Sequence, residues 1–87
     1  MNLIVRVDMF TATQMAYVTS LDGEVQKTFT MRTNSIDREI LNICEQENIS
    51  NVIISGPMVY TKGFEKKIKQ AELVKYNKNI LNITLIK

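Results

Sequence analysis

The sequence predicts an α/β fold built on a five-stranded mixed sheet, and three observations predict it. Hydrophobic alternation of period two fills the first third of the chain. The period then lengthens to that of a helix, twice, around the short apolar run Val52-Ile53-Ile54-Ser55. A helix between two strands favours a crossover that sets those strands parallel, whereas strands joined by a tight turn run antiparallel.

Leu3 to Phe10 sets Leu3, Val5, Val7 and Met9 against Ile4, Arg6, Asp8 and Phe10. So many apolar residues at both parities predict a central strand with much of both faces buried. Thr11-Ala12-Thr13 is a short connection. Met15, Tyr17, Thr19 and Leu21 then alternate with Ala16, Val18 and Ser20 in a second strand. Asp22-Gly23 is the strongest turn signal in the chain, because Gly tolerates positive φ and Asp bonds nearby backbone. A third, more polar strand follows, with Val25, Lys27, Phe29 and Met31 alternating with Gln26, Thr28, Thr30 and Arg32. Its polarity suits a sheet edge.

Ile36, Ile40, Ile43 and Cys44 share one face of a first helix, with Asn34 as its predicted N-cap and an end near Glu47 or Asn48. Gly56-Pro57 closes strand four. A second helix is predicted from about Thr61, with Phe64, Ile68 and Ala71 on its buried face and Lys62, Lys66 and Lys69 opposite. Leu73 falls among the lysines if the helix continues. Either the helix ends near Glu72, or Leu73 and Tyr76 meet something outside the core. Asn77-Lys78-Asn79 turns the chain, and Ile80 to Lys87 forms the last strand. The order is β-β-β-α-β-α-β over a single domain, residues 1–87. A three-strand meander feeding two crossovers gives strand order 3-2-1-4-5. The core expected from this pattern includes Leu3 or Ile4, Val5, Val7, Tyr17, Ile40, Ile43, Ile53, Phe64, Ile68 and Ile83.

Composition narrows the chemistry. The 87 residues contain no His and one Cys. That excludes a Cys/His zinc site, a His-based triad and an intramolecular disulfide. The absence of a basic leader before an apolar run predicts no secretory signal, and no apolar run approaches the ~20 residues that span a bilayer. With an unpaired Cys44, the expected compartment is a reducing cytoplasm. The Ile, Asn and Lys bias is that of AT-rich coding sequence and points to a low-GC bacterium or its phage. Net charge is +2, with the surplus of lysine in residues 60–87. Such asymmetry marks a contact surface for nucleic acid or an acidic partner, or a solvated helix face.

The predicted order resembles that of the ribonuclease H-like superfamily, which includes Holliday-junction resolvases and the actin-type ATPases. Asp8, late on the first strand, is placed like the first metal-binding carboxylate of its nucleases. Val52-Ile53-Ile54-Ser55-Gly56-Pro57 is similar to the strand and glycine-proline turn of the resolvase-like branch. The resemblance implies further carboxylates converging on two ions, one of them on a later helix. Strand four offers none, and Glu65 is the nearest guess at a partner for Asp8. Met9-Phe10-Thr11-Ala12-Thr13 has no Gly for an actin-type phosphate loop. The implied domain is therefore a reduced, non-catalytic version, with no metal and no cofactor.

Three groups of residues are candidates for contact. The loop leaving strand four, through Gly56, Pro57, Tyr60, Thr61, Lys62 and Gly63, leads into a helix N-terminus whose free N–H groups favour an anion or a partner. It lacks any nucleotide-loop pattern. Lys62, Lys66 and Lys69 form a basic face that suits phosphates, though no Arg and only Tyr60 and Tyr76 accompany it. Leu73 and Tyr76 are candidate interface residues, and the edge strands invite pairing. Cys44 reads as a small core residue. The expectation is a binding module that engages a protein or its own copy, without membrane contact. The alternatives are a nucleic-acid binder using the second helix and a metal-dependent nuclease.

Overall fold

The computed structural model describes all 87 residues and has the strand order β3-β2-β1-β4-β5. The strands are β1 (Asn2–Arg6), β2 (Thr13–Thr19), β3 (Val25–Arg32), β4 (Asn51–Ser55) and β5 (Asn82–Ile86). Helix α1 (Ile36–Glu47) links β3 to β4, and α2 (Met58–Tyr76) links β4 to β5. The meander β1-β2-β3 is antiparallel, while β4 lies parallel to both β1 and β5. The mixed sheet and its order are those the alternation and crossovers predict. No helix is long and apolar enough to cross a membrane.

Both crossovers advance the same way across the sheet. Right-handed connections then place both helices on the same face. The core shows this directly. Leu3, Val5, Ala16, Val18, Met31, Val52 and Ile54 from the strands form one buried cluster with Ile36, Ile40, Ile43, Cys44 and Ile68 from the helices. The strand residues of the other parity, Ile4, Tyr17 and Ile53, are only half-buried. The molecule thus has two layers, with helices over one face and nothing over the other. This corrects the expectation that β1 is covered on both sides and that Ile53 and Tyr17 belong to the core. Continuous apolar strands need two covered faces only if both are filled within the chain.

Local details differ in ways that matter for the candidate residues. A 3-10 turn, Thr33–Ser35, precedes α1, so Ser35 rather than Asn34 is the capping residue. Glu39 reaches back from the first turn, its Oε2 accepting the Arg32 N–H at 2.6 Å and the Ser35 hydroxyl at 2.9 Å. Both helices end on an asparagine in the left-handed region, Asn48 and Asn77. That backbone conformation frees the last carbonyls to bond the returning chain. Helix α2 starts at Met58, three residues before the predicted Thr61, and continues past Glu72 to Tyr76. Its fully buried residues are Thr61, Ile68 and Glu72.

Candidate functional site

The uncovered face can be read row by row from the strand register. The middle row runs Thr28, Tyr17, Ile4, Ile53, Thr84 across all five strands. The row toward the carboxyl ends of the parallel strands is Thr30, Met15, Arg6, Ser55, Ile86, and Thr30 Oγ1 lies 3.5 Å from Met15 Sδ. The opposite row carries Asn2, Asn51 and Asn82, with Asn82 Nδ2 donating to Asn51 Oδ1 at 3.3 Å. The result is an apolar centre of Ile4, Tyr17, Ile53 and Met15 inside a rim of threonine and asparagine. No Asp or Glu sits on the strands of this face; its charges are Arg6 and, at the β3 edge, Arg32. A cleft of about 370 Å³ opens at its upper end, bounded by Arg6, Asp8, Thr13, Met15 and Tyr17.

Asp8 follows the end of β1 at Arg6, in the loop beside that cleft. Its Oδ1 accepts the Phe10 N–H at 3.2 Å, a local turn of the kind short acidic side chains make. Gln14, which sequence reasoning missed, holds the Asp8 backbone from both sides. Asp8 N–H donates to Gln14 Oε1 at 2.6 Å, and Gln14 Nε2 donates to Asp8 O at 2.7 Å. Gln14 is buried among apolar strand residues. An amide in that setting must be fully bonded, and Nε2 also donates to Thr33 Oγ1 at 3.0 Å. The loop tip presents Phe10 98% exposed. No three His, Cys, Asp or Glu side chains gather closely enough to hold a metal ion, so neither Asp8 nor Glu65 belongs to such a cluster.

The Gly56-to-Gly63 segment is not a loop. Only Gly56 and Pro57 lie outside α2, and Pro57 is its N-cap. Gly56 has φ +152°, and a Cβ there would sit 2.9 Å from Val7 Cβ. Its N–H donates to Ile86 O at 3.0 Å. Glycine is therefore required for the close approach of β4's end to the chain leaving β1. Thr61 is fully buried, which removes it from any surface site, while Tyr60 and Lys62 are exposed and Gly63 stands in open space within the helix. Tyr60 and Thr61 donate their N–H groups to Pro57 O at 2.9 and 3.1 Å.

The basic face is smaller than predicted. Lys62 and Lys66 are exposed, but Lys69 is half-buried and its Nζ donates to Leu81 O at 3.0 Å. A long alkyl stem lets lysine cover apolar surface and deliver its charge to a carbonyl at the stem's end. Leu73 is 50% exposed on α2, beside Val74 at 89%. Tyr76 is not free for a partner: its hydroxyl donates to Glu45 Oε2, and Lys75 pairs with the same oxygen at 3.0 Å. The Tyr76 hydrogen bond, aided by Lys75, holds the Glu45 carboxyl below its usual range. The same hydrogen bond raises the Tyr76 phenol.

Cys44 lies under this cluster and lines an open hollow of about 660 Å³ between the ends of α1 and α2. Burial, and secondarily the charge of Glu72, push its thiol up to about 12 from an ordinary 9.0. A neutral thiol is a poor nucleophile. The native protein is expected to resist a thiol reagent at pH 8 and to react at the rate of unfolding. The sign for stability follows from proton counts. Between pH 9 and 12 the unfolded chain loses this proton and the folded one keeps it, so stability falls as pH rises above 9. A denaturation series at alkaline pH checks this against Cys44→Ala, whose decline should be shallower.

Comparison with known proteins adds no relative to this description: no family model matches the chain, and no curated protein matches it.

Proposed function

We propose that the chain is a non-catalytic binding module of reduced ribonuclease H-like architecture, which grips a protein partner with the uncovered face of its sheet. The observation that carries this reading is the middle row, in which Ile4, Tyr17 and Ile53 stand side by side in register with no element above them. An apolar centre rimmed by polar groups, with Arg6 and Arg32 among them and no acidic residue on the strands, is the anatomy of a protein interface. Tyrosine at its centre suits the role of anchor, since truncating such residues costs about 2 kcal/mol or more of binding. The strand order and the placement of both helices support the superfamily reading, while Asp8 is occupied in a turn. A photo-reactive residue at position 17 should form discrete covalent adducts in cell extract, and one at position 73 should not. Adducts from position 73 alone would return the interface to the Leu73 side of α2.

Nucleic-acid binding is a second reading, supported by the exposed Lys62 and Lys66. Phosphate contacts weaken with salt at a slope of about 0.9 per contact. If this surface binds nucleic acid, replacing both lysines by Gln should shrink the log–log salt slope for a fluorescent oligonucleotide by about 2 and leave the melting midpoint nearly unchanged. Lys69→Gln is the contrasting variant. It removes the bond to Leu81 O and so should lower stability instead. An unchanged slope in the double variant excludes the lysine face.

A further inference from the structure

The outer edge of β3 is closed at both ends and open in the middle, and we propose that this open middle pairs with the same segment of a second copy. The backbone directions follow from one bond. Thr33 N–H donates to Ala12 O at 2.9 Å, and the register sets Thr13 opposite Arg32. Thr33 and Ala12 are therefore a hydrogen-bonded pair, and in an antiparallel ladder such pairs alternate. Met31, Phe29 and Lys27 then direct their N–H and C=O groups to β2. Arg32, Thr30 and Thr28 direct theirs outward. An independent bond agrees with this parity: the outward N–H of Arg32 is taken by Glu39 Oε2 at 2.6 Å.

Glu39 thus closes one end of the edge. At the other end the register shifts: Val18 faces Lys27 and Thr19 faces Val25, which leaves Gln26 without an opposite. A bulge of this kind ends regular pairing. Between the two closures, Thr28 and Thr30 are exposed, contain no Pro and carry no charge. Unprotected edge of this kind is a template for another strand.

The segment is complementary to itself. A two-fold axis at Phe29 sets Thr28 opposite Thr30 of the second copy, and Thr30 opposite its Thr28. Those pairs use the outward groups and make four N–H···O bonds. Thr–Thr pairs across strands are favourable. On the helix side the half-buried Phe29 meets its own counterpart at a closely spaced position. Lys27 comes opposite Met31 rather than another lysine, and its charge is already paired with Glu47 at 3.0 Å. The two sheets become one of ten strands, and their uncovered faces join. Four bonds and one aromatic pair make a small contact, so the dimer is concentration-dependent.

Sedimentation of the full chain from about 10 µM to about 1 mM, the range in which so small a contact is populated, should show a monomer–dimer equilibrium. Thr28→Pro removes an outward N–H that the sheet does not use, so it should abolish the dimer with little change in melting midpoint. Cross-linking tests the register. Thr28→Cys/Thr30→Cys should form an intermolecular disulfide under mild oxidation, because opposite positions lie within the roughly 4.4–6.8 Å that a disulfide spans. Thr28→Cys alone and Thr30→Cys alone place the new thiols on diagonal positions and should cross-link far more slowly. A wild type that stays monomeric to 1 mM overturns the proposal. So does a dimer that Thr28→Pro leaves intact, or single-cysteine variants that cross-link as fast as the double one. None of these outcomes bears on the uncovered face, which is probed by adducts at position 17.

Discussion

Ile54→Ala should destabilise the protein by about 3–4 kcal/mol, and Ile53→Ala, one residue away, by about 1. The two isoleucines are neighbours in sequence and alike in chemistry. They differ in which face of β4 they occupy. Ile54 has no exposed surface and pairs laterally with Val5 and Leu85 under the helices. Its truncation removes buried methyl groups and leaves a void that surrounding strands cannot close. Ile53 stands in the uncovered row, half in water already, so its removal forfeits less transfer energy and opens no cavity. Such a core substitution consumes much of the ~4–13 kcal/mol expected for a domain of this length. Urea denaturation of both variants at low protein concentration measures the ratio. Equal costs would mean that Ile53 is covered in solution, and that the face proposed for a partner is not free.

The strand order was legible because its signals are local. Asp22-Gly23 marked the hairpin, and Gly23 does adopt φ +88°. The change of period at Ile36 marked the first crossover, and Gly56-Pro57 marked the stop before the second. What these signals do not carry is where each face points once the layers assemble. Apolar residues at both parities of β1, and Ile53 in the expected core, imply cover on both sides of the sheet. The order 3-2-1-4-5 already contained the answer, since two right-handed crossovers advancing in one direction stack both helices on one face. The apolar residues left on the other face therefore mark a surface rather than a core.

The candidate site was less legible, for a different reason. Helical spacing sets Lys62, Lys66 and Lys69 together opposite the buried face, yet a side chain as long as that of Lys69 can leave its face and end on a backbone carbonyl. Leu73 and Val74 are exposed on α2 while Glu72 between the turns is buried, which inverts the usual hydropathy pattern. Gln14 likewise sits among apolar residues on β2. Gln14, Lys69 and Glu72 each reach backbone groups six to twelve residues away, in a neighbouring element or connection, and the period of their own helix or strand does not announce such a partner.

Glu72→Ala should cost about 3 kcal/mol or more, although alanine is the better helix former at an exposed position. The Glu72 side chain has no exposed surface. Its Oε2 accepts the Ile80 N–H at 2.7 Å and the Leu81 N–H at 2.8 Å. Those two donors open the approach to β5, where no neighbouring strand yet receives them. Hydrogen bonds to a charged group contribute about 1.5–3 kcal/mol each, and a buried donor left unpaired costs about 1–3. Removing the carboxylate strips both donors of their acceptor and leaves a void under Leu81. With Lys69 holding the carbonyl of that same residue, α2 grips the start of β5 from both its N–H and its C=O side. Glu72→Gln separates acceptor from charge. Its carbonyl can still receive both N–H groups, but its NH2 falls where Oε1 now has no hydrogen-bond partner. Two new donors without acceptors would offset part of what the carbonyl retains, so an intermediate loss is expected. Hydrogen exchange localises the effect. In Glu72→Ala the amides of Ile80, Leu81 and the β5 residues should lose protection first, while those of β1 and β2 keep theirs until global unfolding. Loss below about 1 kcal/mol, with Ile80 and Leu81 still protected, would show that β5 is held by its ladder with β4 alone.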